Sequence, residues 1–475
     1  MTSKKVTPPA KVALIPVLVV GVSLGLSVFV YDAQPHIPLF FGAVAAGLTA
    51  IVYGYSWETI SNGFTRSIAR AIPSLIILLI IGMIIGVWIA SGIVPAMMYY
   101  GFNVLVPAWF LPSILIICSI MSVVTGSSWT TAGTIGVAAI GIGQGLGIPA
   151  PAVAGAVVSG AFFGDKLSPL SDSTNLTPSV LGLDLYVHIK HMLYTTIPSF
   201  ILALIMFTVL GFILSEGAAN TEHMNQYQEL IRENFKLSFW LLIPPVAVIT
   251  LIVFKIPAIP SLVAGVVLGG VMMVTVQGQS SGEFFTILYD GFSISTGWEE
   301  MDNLLSRGGM ESMYSVVALA IMALSFGGIM NHCNMLKSLV DKMSSLVNKA
   351  GSLVLTTLVT SVFINIFGAN QYLAVIIPGQ MYEQAYKKLN LKMENLSRAL
   401  EGGGTLTAPL ISWNSSGVFM YSVLAVSPLA YFPYAFVCWL TPLVVAVFGF
   451  FNITMTKTET KKQSVSQKEK VLVSN

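Results

Sequence analysis

The chain has 475 residues, of which 55% are hydrophobic and only 9% charged, and its mean hydropathy is +0.80, whereas a soluble domain carries about 25% charged residues. That deficit excludes an ordinary soluble domain and points to an all-α polytopic membrane protein. The net charge of +2 is dispersed over loops and tails, which excludes a nucleic-acid partner. Cys118, Cys333 and Cys438 lie in apolar segments without CxxC spacing, so no disulfide frame or zinc site organises the fold.

In chain order, the basic stretch to Lys11 precedes an apolar run with no small-x-small cleavage site, and Asp32 follows. This reads as an uncleaved first span. Apolar runs near residues 12–31, 37–55, 72–98, 192–215, 237–256, 259–277, 313–333 and 431–452 approach the roughly 20 residues that cross a bilayer core of about 30 Å. Two other regions, 111–141 and 352–383, are interrupted by TGSSWTT and FGANQ and are predicted as re-entrant hairpins with polar tips. The segments 151–180 and 396–430 contain GDKLSPLSDSTN and EGGGTLTAPLISWNSSG. These are predicted discontinuous helices, because non-helical backbone at membrane depth is tolerated where it lines a cavity.

The two halves align at an offset of about 240 residues, which brings Gly86 to Gly327, the tip Gly126 near Gly368, and Pro169-Leu170 onto Pro409-Leu410. Loop lysines and arginines then set orientation. Lys4, Lys5, Lys11, Arg66, Arg70, Lys337, Lys342, Lys349, Lys387, Lys388, Lys392 and the lysine-rich tail fall inside, and the acid-bearing segments 216–233 and 283–311 fall outside. The loop before 72–98 is then cytoplasmic and its partner before 313–333 external, so the repeats are inverted. The expected organisation is a tail and first span at 1–36, repeat 1 at 37–215, an external loop and connecting span at 216–258, repeat 2 at 259–452, and a cytoplasmic tail at 453–475. Both termini are expected on the cytoplasmic side of the cell (inner or plasma) membrane.

Inverted repeats with paired broken helices mark a secondary transporter whose site lies where the breaks meet. Hydroxyl, amide and carboxylate oxygens suit a small hard cation. The first half supplies Thr125, Ser127, Ser128, Thr130, Asp165, Asp172, Ser173, Thr174 and Asn175, and the acid-poor second half supplies Asn370, Thr407, Asn414 and Ser415. An ionisable group inside a membrane is functional by default. Asp172 is accordingly predicted as a desolvated carboxylate shared by proton and cation, with Ser127 and Asn175 as further sodium ligands. Asp165 is a second ion or proton ligand, or else one half of a structural ion pair with Lys166. Glu401 reads as a helix terminus near the cytoplasmic surface, and His188 with His191 as an interfacial loop. Trp129 and Trp413 shape a substrate pocket with Thr130, Asn370, Thr407, Asn414 and Ser415, or serve as packing. GIGQGLG at 141–147 is read as a turn. No HExxH, nucleophile elbow or phosphate loop supports an enzyme.

TGSSWTTAGTIGVA at 125–138 and GAFFGDKLSPLSDSTN at 160–175 together resemble the NhaC family of sodium/proton antiporters, and the likeness runs from about residue 10 to 450. The resemblance implies sodium and proton as coupling ions without a cofactor, the two-repeat plan of the ion transporter superfamily, and often a homodimer. It places the ion site on Thr125, Ser127, Ser128, Asp172, Ser173, Thr174 and Asn175. The family also holds malate/lactate antiporters and relatives assigned to amino acids. The expectation is therefore sodium/proton antiport by alternating access, with a proton- and sodium-coupled organic acid exchanger as the alternative.

Overall fold

The computed structural model describes residues 7–31, 33–104, 106–218, 221–254, 256–344 and 349–458. Lys4, Lys5, Asp32 and the tail beyond Thr458 lie outside the described residues. In hydrocarbon every backbone N–H and C=O must be satisfied within the protein, and the described regular structure is helical apart from one isolated bridge between Leu391 and Lys457.

Helices α1 (Ala10–Gly25) and α2 (His36–Val52) pack on each other. The third, α3 (Trp57–Ala90), is 34 residues long because Ser56 caps it by accepting from Thr59 N at 3.3 Å. The run expected at 72–98 therefore starts earlier, and it ends at Gly92, whose φ of +78° separates it from α4 (Ile93–Val104). Next comes a hairpin: α5 (Pro107–Thr125) turns at Gly126 into α6 (Ser128–Thr131), which passes through a π turn into α7 (Val137–Gly145). GIGQGLG is thus the end of α7 and the turn after it. The broken helix follows as α8 (Ala150–Leu167) and α9 (Asp172–Leu181).

Helices α10 (Leu185–Ala218), α11 (Thr221–Asn234), α12 (Ile243–Val253), α13 (Ala258–Met272), α14 (Ser281–Asp290) and α15 (Glu299–Leu305) lead to α16 (Tyr314–His332) and α17 (Met335–Ser344). A second hairpin, α18 (Ala350–Gly368) and α19 (Gln371–Lys388), turns at Ala369. The second broken helix begins as α20 (Met393–Leu400), runs on as a π turn over Glu401–Thr405, and resumes as α21 (Ser415–Leu424) before α22 (Pro428–Tyr431) and α23 (Phe436–Phe450). Among the described residues six helices are long and apolar enough to cross a membrane, or up to eight if each of two bent pairs is one span.

The halves correspond more closely than the sequence suggested, at a constant offset of 243 residues. The left-handed turn residues Gly126 and Gly182 recur as Ala369 and Ala425, and the helix caps Ser127 and Ser171 recur as Asn370 and Asn414. Ser122 Oγ donates to Ala161 O at 2.5 Å, and Asn365 Nδ2 donates to Gly404 O at 2.5 Å. Pro169 and Pro409 are therefore not equivalent. Each hairpin is seated on its broken helix by glycine: a Cβ on Gly160 would lie 2.5 Å from Leu115 O, and one on Gly403 3.0 Å from Leu358 O. Small residues let membrane helices approach backbone to backbone.

The segment expected as the second external loop is packed rather than free. Gly309 N donates to Gly82 O at 2.7 Å, and a Cβ on Gly86 would lie 3.1 Å from Gly309 N. Within it, Asp302 accepts from the hydroxyl and the N–H of Thr296, both at 2.6 Å, and these bonds hold its carboxyl below the usual carboxylate range.

Candidate ion and substrate site

Each half-helix begins with a residue that can accept from the backbone N–H groups an α-helix leaves orphaned at its start. Ser127 Oγ accepts from Thr130 N, Ser171 Oγ from Thr174 N, Asn370 Oδ1 from Tyr372 N and Leu373 N, and Asn414 Oδ1 from Ser416 N. All four of these starts reach one cavity of about 290 Å³, which is lined by Ser127 and Ser128, by Ser171, Asp172 and Ser173, by Asn370 to Tyr372, and by Ser415. Helix N-termini carry partial positive charge. Two carboxylates, Asp165 and Asp172, meet them there and interact electrostatically with each other.

Asp165 is 6% exposed and accepts from Ser128 Oγ at 2.6 Å, while its backbone carbonyl accepts from Thr174 Oγ1 at 2.9 Å. Those bonds tie the end of α8 to the hairpin tip and to the start of α9. Asp165 makes no ion pair with Lys166; among the described residues the one salt bridge joins Lys387 and Glu383. Asp172 was expected to be desolvated, yet it is exposed, because position N1 of α9 opens onto the cavity. Trp129 lines the cavity and stacks on Phe419, with ring centroids 4.1 Å apart.

Other predicted site residues brace the walls. Asn175 Nδ2 donates to the carbonyls of Pro169 and Ser171, both at 2.8 Å, and Thr130 Oγ1 donates to Ser127 Oγ at 3.1 Å. Thr125 Oγ1 donates to Ser127 O at 3.4 Å. In the second half Thr407 Oγ1 accepts from Asn365 Nδ2 at 3.0 Å, Asn414 Nδ2 donates to Asn365 Oδ1 at 3.1 Å, and Trp413 Nε1 donates to Ile366 O at 2.6 Å. None of Thr125, Thr130, Thr174, Asn175, Thr407, Trp413 and Asn414 lines the cavity.

Three features differ from the sequence reading. Arg70 reaches the cavity from α3; it lies far in sequence from either break, and no local motif flags it. Glu401 is fully buried instead of sitting at a surface terminus, with Thr177 Oγ1 donating to its Oε1. His188 and His191 are likewise buried, in α10, and His188 Nδ1 lies 2.9 Å from Ser397 Oγ.

Carboxylates and hydroxyls meeting capped half-helices in a multi-pass helical bundle define an ion-coupled membrane transporter, and known proteins agree. The model of the Na+/H+ antiporter family matches residues 6–174 and 160–453. Over 455 residues the chain is 38% identical to the Na(+)/H(+) antiporter NhaC of Alkalihalophilus pseudofirmus, covering 95% of this chain and 97% of that protein. It is also 38% identical to the malate-2H(+)/Na(+)-lactate antiporter of Bacillus subtilis, over 97% of this chain and 99% of that protein. To the arginine/ornithine antiporter ArcD of Halobacterium salinarum the identity is 37%, over 92% and 91% of the two chains. The chain belongs to the Na+/H+ antiporter family and is a transporter.

Proposed function

We propose that this protein exchanges sodium for protons across the cell membrane by alternating access, with Asp172 and Asp165 as the cation carboxylates. The carrying observation is that two acids share one cavity with each other and with the hydroxyls of Ser127, Ser128 and Ser173. Like charges held together are costly without a counter-ion, and these oxygens are the ligands that sodium prefers. The 243-residue correspondence supports two structural repeats, and the loop charges support their inversion, with both chain ends cytoplasmic. Rocking of one hairpin and broken-helix set against the rest would expose the cavity alternately.

A second reading is favoured by Arg70 and by the acid-free starts of α19 and α21 on the same cavity. Together they offer, on that same cavity, groups that bind a carboxylate, suited to a small organic acid such as malate or lactate carried with sodium and protons. Proteoliposomes with an imposed pH gradient separate the two readings. Sodium alone is expected to collapse the gradient, and Arg70→Ala to leave that collapse intact. Collapse that requires malate or lactate, and that Arg70→Ala abolishes, would replace the first reading by the second.

A further inference from the structure

Behind the cavity lies a group of buried ionisable side chains that the cation site does not use. Lys166 and Glu401 are both fully buried. They interact electrostatically, yet they form no salt bridge; Lys166 Nζ lacks a hydrogen-bond partner, and Thr405, whose hydroxyl acts on Glu401, closes no well-formed bond to Oε2. A buried ion pair kept for stability would be closed and fully hydrogen-bonded, since an unsatisfied buried charge costs several kcal/mol. A carboxylate held open beside an ammonium is instead arranged to change its charge during function.

We propose that Glu401, positioned by Thr177 and faced by Lys166, carries the exchanged proton at a site separate from the cation carboxylates. This rests on the antiport reading above. Thr177 belongs to the first broken helix and Glu401 to the second, so the bond between them crosses from one half to the other. The charged groups within electrostatic reach of Glu401 are Lys166 and Asp165, both on α8. Of the other elements packed on its turn, α9 presents Thr177, α18 no titratable side chain, α19 the hydroxyls of Tyr382 and Tyr386, α20 Arg398, and α23 Cys438, which interacts with Lys166.

Polar groups continue from Lys166 away from the cavity. His188 and Arg398 lie within its electrostatic reach, and Arg398 donates to Thr454 Oγ1 at 2.7 Å, at the end of the bundle that carries the last described residues. Asp165 supplies the coupling. A cation bound at the cavity offsets the negative charge of Asp165, so ionised Glu401 is repelled less and its proton leaves more readily. By linkage, a proton on Glu401 weakens the cation by the same factor.

The test uses the detergent-purified full chain in weak buffer with a pH indicator. Adding sodium chloride is expected to release protons from the wild type. Glu401→Gln is expected to bind ²²Na+ and release none, and Glu401→Asp to restore release with a displaced pH profile. A Gln variant that releases protons like the wild type overturns the proposal, as does a folded Gln variant that no longer binds sodium. A wild type that binds no sodium defeats the antiport reading instead. In that event the carboxylic acid C=O band in the infrared difference between acid and alkaline buffer decides: its loss in Glu401→Gln supports a protonated Glu401, and its persistence overturns the proposal.

Discussion

Asp172→Asn is expected to abolish sodium-driven proton movement in proteoliposomes and ²²Na+ binding in detergent, while the purified protein still elutes as a single symmetric species. The substitution keeps the shape of the side chain and removes its charge. Asp172 is exposed to the cavity, so no packing is lost, and the cap on α9 is untouched because Ser171 makes it. The remaining penalty is the loss of a favourable acid in a first helical turn, about 0.3–1 kcal/mol, too little to unfold the protein. Sodium binding that survives in this variant would remove Asp172 from the cation site.

The second large effect concerns the fold that holds the site. Gly164→Ala is expected to lower the melting temperature followed by size exclusion, and to cost transport in proportion. A Cβ at Gly164 would lie 2.4 Å from Ser119 O and 2.6 Å from Val123 N. Both are backbone atoms, so neither can rotate away, and α5 must shift as a body. The shift strains the 2.5 Å bond from Ser122 to Ala161 O and the 2.7 Å bond from Ser168 to Val123 O. Overpacking of this kind costs roughly 1–3 kcal/mol or more. Gly21→Ala is the control, since nothing lies within 4 Å of its added Cβ. If both variants melt with the wild type, the close seating of the hairpin on the broken helix is wrong.

Much of this architecture was legible because the bilayer forces backbone polarity into a few patterns. Gly126, and the polar runs at 168–175 and 405–416, stand out against apolar neighbours, and each marks a real turn or break. Asp172 and Ser127, which line the cavity, stand out by the same contrast. What the contrast could not show is which polar groups face the cavity and which brace its wall. Asn175 and Asn414 look like ligands in the sequence, but their amides satisfy carbonyls. The start of α3 was misjudged because its first turns are polar, and hydropathy sees only the apolar part. Glu401 was misplaced because its neighbours Lys166 and Thr177 come from the other half of the chain, and only the folded structure brings them within reach.

The four helix starts around the cavity impose a blind spot on mutational study. Their positive field comes from peptide N–H groups, which every residue except proline retains. An alanine scan of the lining will therefore score the acids and Arg70 heavily and the hydroxyls modestly, and it will register nothing for the positive potential of the helix starts. A map of function drawn from side-chain deletion alone would describe a site made of side-chain charge, with the backbone contribution missing. Amide-to-ester replacement at Ser173, Leu373 or Ser416, which deletes one N–H and leaves the side chain in place, is the substitution that makes that contribution visible.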